Sequence, residues 1–228
     1  YYLLLLRKVR NFIEDEELHV YLAIIAIAVV LISLNVLPYY ENIGIMLRDV
    51  FFTVSSIVTT TGFATVDFDK WPLFSHVIIM MLMIIGSCAG STAGGLKVSR
   101  VIIHFKSFVS EFVRQREPNR IVMVNFNRSP VNKKSMQAIQ NYFIAYTLIF
   151  AVLLLFVSFE APDFETAFST VAATFNNIGP GFNMIGPTGN FSAYSGPLKI
   201  LLSLGMIAGR LELWPILILF SPKTWTRL

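Results

Sequence analysis

The sequence is short of most things a soluble enzyme is built on. Of its 228 residues only Cys88 is a cysteine, which excludes an intrachain disulfide and a cysteine-based zinc site. The three histidines, His19, His76 and His104, are scattered and lack the spacing of metal ligands. Charge is scarce: 14% of residues are Asp, Glu, Lys or Arg, where a soluble domain carries about a quarter. No nucleophile–base set can be assembled. Gly90 and Gly95 have the spacing of a phosphate-binding loop, but Leu96 stands where lysine must follow and no strand precedes it. These absences argue against an enzyme, and nothing calls for nucleic acid as a partner. The chain begins at Tyr1 without a signal-peptide pattern, so it is expected to be a fragment of a longer protein.

What is there instead is apolar. Hydrophobic residues make up 55%, 20 of them phenylalanine, and the mean hydropathy is +0.65. Residues 20–37 carry no charge and close on Pro38-Tyr39-Tyr40. Eighteen helical residues reach about 27 Å, close to one hydrocarbon core. A second run starts at Leu73 and changes character after Ile85 into a Gly-rich stretch, 86–97. A third covers about 138–159 and a fourth roughly 197–220. Residues 97–134 are strongly basic, whereas the connections within each half carry Glu41, Asp49, Asp67, Asp69, Glu160, Asp163 and Glu165. With four spans, the basic connection and both chain ends lie on one side, which the positive-inside rule makes cytoplasmic.

Between spans one and two lies 51–65, too short and too rich in hydroxyls to cross a membrane. It reads as a helix of about three turns ending in Thr59-Thr60-Thr61-Gly62-Phe63. A counterpart, 164–175, leads into Asn176-Asn177-Ile178-Gly179-Pro180-Gly181 between spans three and four. Gly62 and Gly179 match at an offset of 117 (179 − 62), and Gly86/Gly205 and Gly90/Gly209 at 119. That spacing makes the second external connection two residues longer. Both units read span–loop–span in the same direction, so the repeat is parallel, unlike the inverted repeats common in secondary transporters. The expected fold is an all-α membrane protein of two parallel span–pore loop–span repeats. Its divisions are a surface segment 1–18, repeats 19–96 and 138–220, a basic connection 97–137 and an end 221–228.

A dehydrated monovalent cation needs a ring of oxygens in place of its water, and backbone carbonyls supply them. Glycine lets the chain turn successive carbonyls inward, and each short helix aims its negative end at the site. Thr60, Thr61, Gly62 and Phe63 in one half, with Asn177, Ile178, Gly179 and Pro180 in the other, are therefore the candidate filter for a monovalent cation. The stretch with Gly86, Gly90, Ser91, Thr92, Gly94 and Gly95 has two readings: helix packing through small residues, or an irregular intramembrane gate. Arg210 within span four is an interhelical ion-pair partner, a cationic barrier in the path, or both. Glu212, two residues on, points to another face of the same helix.

These residues resemble a known family. Thr59-Thr60-Thr61-Gly62-Phe63, the Gly-rich stretch 86–97, Asn176-Asn177-Ile178-Gly179-Pro180-Gly181 and Gly209-Arg210-Leu211-Glu212 are similar to the Trk/Ktr/HKT superfamily of potassium transporters, nearest its bacterial Trk-system branch. The resemblance implies four such repeats around one pore, with this chain holding the third and fourth. It implies Gly62 and Gly179 as filter glycines, 86–95 as the gating loop and Arg210 as a pore-lining residue. It further implies K⁺ as the transported ion, the bacterial inner membrane as location and the missing N-terminal half as partner. A homodimer, surrounding lipid and a cytoplasmic nucleotide-binding regulatory subunit of RCK type complete the expected partners. The alternative is an ion-coupled secondary transporter, with symport through a binding site at the broken second span.

Overall fold

A computed structural model describes residues 14–117, 120, 122–210 and 218. The expectations for 1–13, Glu212 and 221–228 lie outside the described residues, as do most of the last turns of the fourth span. Helix α1, Glu16–Val36, starts where Asp15 accepts the N–H groups of Glu17 and Leu18, with two acidic residues in its first turn. Both features satisfy the positive end of a helix. It continues as a 3₁₀ turn, Leu37–Tyr39. Helix α2, Ile43–Val58, is 16 residues long and begins eight residues before the expected start at Phe51 (51 − 43). The reason is local: Asn42 accepts from Gly44 N and Ile45 N and so nucleates the helix upstream.

Helix α3, Leu73–Ile85, ends at Gly86, whose φ of 71° breaks the span. Helix α4, Val98–Arg116, leads to a two-stranded hairpin of β1, Asn125–Phe126, and β2, Ser129–Pro130. Its tip residues Asn127 and Arg128 both have positive φ, the geometry that matches the twist of paired strands. This hairpin is a small exception to the all-α expectation. Helix α5, Lys133–Val157, starts five residues before the expected Ala138 (138 − 133), because Asn132 caps it through Ser135 N. Helix α6, Phe164–Phe175, has the expected bounds, and α7 is described over Gly196–Arg210.

By length and composition, α1 with its extension (Glu16–Tyr39) and α5 are each able to cross a membrane. The apolar α3 stops at 13 residues because Gly86 ends it. From Gly62 and Gly179 to the helix that follows, the two halves take 11 residues (73 − 62) against 17 (196 − 179). The second connection is thus six residues longer, not two. The 119 offset pairs Gly86, a helix end, with Gly205, a helix interior, so that part of the repeat is equivalent in sequence but not in shape.

The two halves share their core. Ala172, Ile178 and Phe182 from the second pack with Val50, Val54, Phe68, Ile79 and Met83 from the first. Phe182 meets Phe68 edge-on at 5.6 Å and stacks on His76 at 4.2 Å. His76 Nδ1 lies 2.7 Å from Glu165 Oε1, and Asn183 N donates to Asp69 Oδ1 at 2.7 Å. In the second half, Glu160 accepts from the Ser195 hydroxyl and N–H, which holds its carboxyl below the usual range and ties α5 to the start of α7.

Asp163 carries the entry to α6. It accepts Thr166 N at 2.8 Å and Thr166 Oγ1 at 2.9 Å, and Asn183 Nδ2 at 3.4 Å. Asp163→Ala is expected to cost about 1–2 kcal/mol, read as a lower midpoint of thermal unfolding in detergent. An unchanged midpoint would show that the cap is dispensable.

Candidate functional site

Both short helices end in the same turn. In α2 the N–H groups of Thr59, Thr60, Thr61 and Gly62 donate to the carbonyls of Ser55, Ile57, Ser56 and Ser56. In α6 those of Asn176, Asn177, Ile178 and Gly179 donate to Ala172, Thr174, Ala173 and Ala173. Each of these four bonds recurs at the offset of 117. Thr60 and Asn177 both take positive φ, 54° and 56°, as do Gly62 and Gly179, 78° and 115°. This is the 6→1 and 5→2 pattern that ends a helix in a left-handed residue. It turns the chain sharply, so that the residues after each helix leave it as a short irregular strip.

The two strips meet. A Cβ placed on Gly62 would lie 1.9 Å from Ile178 O and 3.2 Å from Pro180 Cδ, so only glycine allows the approach. On the first strip Ser56 Oγ donates to Phe63 O at 2.6 Å, and the Thr59 and Thr61 hydroxyls share a hydrogen bond of 2.8 Å. On the second, Tyr146 OH donates to Asn176 Oδ1 at 2.9 Å, and Asn177 Nδ2 donates to Met206 O at 2.9 Å. The strips differ in cover. Asn176 and Ile178 are buried, whereas Thr59, Thr61 and Phe63 are exposed.

Residues 86–97 form an irregular loop closed at its base by Leu96 N to Ile84 O (3.1 Å) and Val98 N to Ser87 O (3.0 Å). The helix-packing reading of Gly86 and Gly90 does not apply, since 86–90 is not helical and a Cβ on Gly90 would meet nothing within 4 Å. Gly94 instead presses on the second strip: its Cβ would sit 2.1 Å from Asn176 O. Gly86 and Gly95 pack on each other at the loop base. Lys97 Nζ folds back to donate to Ser91 O at 2.7 Å and Ala93 O at 2.8 Å. Backbone of this kind survives at membrane depth only where protein or a wet cavity satisfies it, and Lys97 is one such partner.

Helix α7 comes against the same end of α6. A Cβ on Gly209 would lie 1.7 Å from Phe175 O. The next residue, Arg210, borders a cavity of about 280 Å³ with Ser91, Thr92, Gly95, Lys97 and Gly209. The loop and the end of α7 that carries Arg210 therefore border one space, with Arg100 and Tyr142 on its other side. Three cationic side chains, Lys97, Arg100 and Arg210, line it together with the hydroxyl residues Ser91 and Thr92.

Residues 5–227 match a family model described as TrkH, cation transport protein. The chain belongs to this family. It is 34% identical over 96% of its length to the Trk system potassium uptake protein TrkH of Salmonella typhimurium, covering 45% of that protein. To the Trk system potassium uptake protein TrkG of Escherichia coli it is 33% identical over 99%, covering 46%. The crystal structure of the potassium transporter TrkH from Vibrio parahaemolyticus superposes with a TM-score of 0.82 at 33% identity, over 92% of this chain and 45% of that one. The chain thus spans a little under half the length of these relatives.

The family is one of cation transport proteins, not enzymes, and the fold of this chain is the mostly helical arrangement of two parallel span–pore loop–span repeats. Of the filter candidates, Thr60, Gly62, Asn177 and Gly179 form the matched turns, Gly62 meets Ile178 and Pro180, and Phe63 bends back to Ser56. Of the loop candidates, Gly86, Gly94 and Gly95 make close approaches, whereas Gly90 does not. Sequence reasoning missed Lys97 as a loop tether, Gly209 as a close contact and Glu17, whose carboxylate reaches the loop from α1. For Gly209 the signal was present, a glycine amid an apolar helix; for Glu17 there was none.

Proposed function

We propose that the intact protein takes up K⁺ across the bacterial inner membrane through a ring of re-entrant loops. This chain supplies two segments of the ring, 60–63 and 177–180, within repeats 19–96 and 138–220 joined by the basic connection 97–137. The single observation that carries the reading is the matched turn: four hydrogen bonds and two positive-φ positions recur at 117 residues, with Gly62 against the Ile178 carbonyl. Carbonyl strips held that way are what replacing a cation's water shell requires. The negative ends of α2 and α6 favour positive charge there. The printed names of the relatives, potassium uptake proteins, support K⁺ as the cargo.

The exposed side of the first half supports two further repeats completing the ring. On α2, Phe51 and Phe52 are exposed, while α6 is buried along nearly its whole length. Below the filter, loop 86–97 is the gate and Arg210 the cation that faces it. A second copy, lipid and a nucleotide-binding regulatory subunit at the basic face remain the proposed partners. The alternative, a coupled carrier with its site at the break after α3, predicts inverted repeats, and the parallel turns speak against it.

Tracer uptake into liposomes holding the intact protein, with K⁺ and with competing Na⁺, tests the filter. Gly179 has φ of 115° and nothing within 4 Å of an added Cβ. Gly179→Ser therefore changes the strip without a clash, and is expected to lose most of the preference for K⁺ over Na⁺. Unchanged preference would remove Gly179 from the filter.

A further inference from the structure

The first turn of α1 holds more than its own helix. Glu17 Oε1 accepts the N–H of Ala89 at 2.6 Å and that of Ser99 at 3.0 Å. One carboxylate oxygen thus joins the loop 86–97 to the first turn of α4, across 72 and 82 residues of sequence. Ala89 lies two residues past the closed base at Ser87, beside Gly90, where an added Cβ would meet nothing within 4 Å. Lys97 secures the opposite limb through Ser91 O and Ala93 O. A backbone N–H facing an ionised carboxylate makes one of the stronger hydrogen bonds. Glu17 is the acidic half of a two-sided tether.

The neighbours of Glu17 are anchored to a different element. Glu16 N donates to Asn127 Oδ1 at 2.9 Å, and the Glu16 carboxylate pairs with Lys106. Arg128 pairs with Glu14 at 2.8 Å, and Asn127 Nδ2 donates to Asp15 Oδ1 at 3.5 Å. Lys106 also donates to Asn125 O at 2.9 Å. The tip of the β1–β2 hairpin therefore grips residues 14–16, and the residue that follows grips the loop. An α-helix is rigid over one turn, so a shift of the hairpin tip moves Glu17 with it.

We infer that Glu17 is a positioning residue for the loop 86–97, and that the hairpin tip at Asn127 and Arg128 sets its place. The flux consequence rests on the proposed gate; the positioning itself does not. Cys88, next to Ala89 and half-buried, reports the loop; the Glu17 carboxylate also acts on its thiol through charge, so a variant that leaves Glu17 in place isolates position from reactivity. The experiment uses the intact protein in liposomes, follows Cys88 modification by a soluble maleimide with peptide-resolved mass spectrometry, and measures tracer K⁺ flux in parallel.

Glu17→Ala is expected to speed Cys88 modification by about tenfold, the size of one lost charge-assisted hydrogen bond. Glu17→Gln keeps an acceptor without the charge and is expected to give about threefold, since neutral bonds are roughly half as strong. Arg128→Ala, on an exposed side chain far from the loop, is expected to move the rate in the same direction. Arg128→Ala leaves the Glu17 charge in place, so a faster rate there shows a change of position, and a wild-type rate there overturns the part assigned to the hairpin tip. Modification at the wild-type rate in the folded Glu17 variants overturns the inference. Faster modification with unchanged flux upholds the positioning role and overturns the gate reading instead.

Discussion

Alanine at position 62 is expected to cost the intact protein about a hundredfold or more of its K⁺ uptake, the scale that a displacement of about an ångström has at a site built on geometry. Two effects act together. At φ of 78° an L side chain is strained, by about 1–2 kcal/mol. The larger effect is steric: the new Cβ would lie 1.9 Å from Ile178 O, a backbone atom that cannot rotate away. Ile178 is buried and its N–H is held by Ala173 O at 2.8 Å, so the first strip, exposed at Thr59, Thr61 and Phe63, is the one that yields. Gly90→Ala separates the two effects. It has the same φ of 78° but meets nothing within 4 Å, so it carries strain alone. Thermal unfolding and tracer uptake of the two variants side by side make the comparison. If Gly62→Ala behaves as Gly90→Ala does, the contact between the strips has no functional weight.

How far the sequence carried this reading depends on the range of each interaction. Helix α6 was legible to the residue, because Asp163 at one end and the Asn176-Asn177 pair at the other are local stop and start signals. Helix α2 starts eight residues before the hydroxyl-rich stretch that marks its end, because the Asn42 cap, an equally local signal, opens it. The matched turns at Gly62 and Gly179 were legible from two glycines at a fixed offset, and the hydrogen bonds recur at that same offset. The second external connection was misjudged because Gly86 and Gly205 carry the same letter in different conformations. A glycine ends a helix where its neighbours leave it unsupported, and is tolerated inside one where packing holds it: Gly205 faces Leu153 across the α5–α7 contact. The tether of Glu17 to Ala89 was not legible at all. It joins residues 72 apart, with no periodic pattern linking them, and only the folded chain brings them together.

The same distinction between glycines makes Gly209→Ala the second large expected effect. A Cβ there would fall 1.7 Å from Phe175 O, with Asn177 Nδ2 at 3.4 Å. The end of α6 cannot retreat: Phe175 is fully buried and stacked near Tyr146, whose hydroxyl holds Asn176 at 2.9 Å. Helix α7 must move instead, which breaks the 2.9 Å bond from Asn177 to Met206 O and carries Arg210 away from the cavity it borders with Ser91, Thr92 and Lys97. Overpacking of this kind costs about 1–3 kcal/mol or more, and here the cost falls on the part of the helix that presents Arg210 to the loop. Gly205→Ala, one turn earlier, is the internal comparison. Its Cβ would approach only Leu153 Cδ1 at 3.1 Å, the movable end of a side chain, while the helix gains about 1 kcal/mol from replacing glycine. Gly205→Ala is therefore expected to be neutral or stabilising in thermal unfolding, and Gly209→Ala to lower the midpoint by several degrees and to alter flux. Equal midpoints and equal flux in the two variants would mean that α7 is free to slide on α6. In that case Arg210 would not be held at a fixed place against the loop, and a barrier there could not depend on its position.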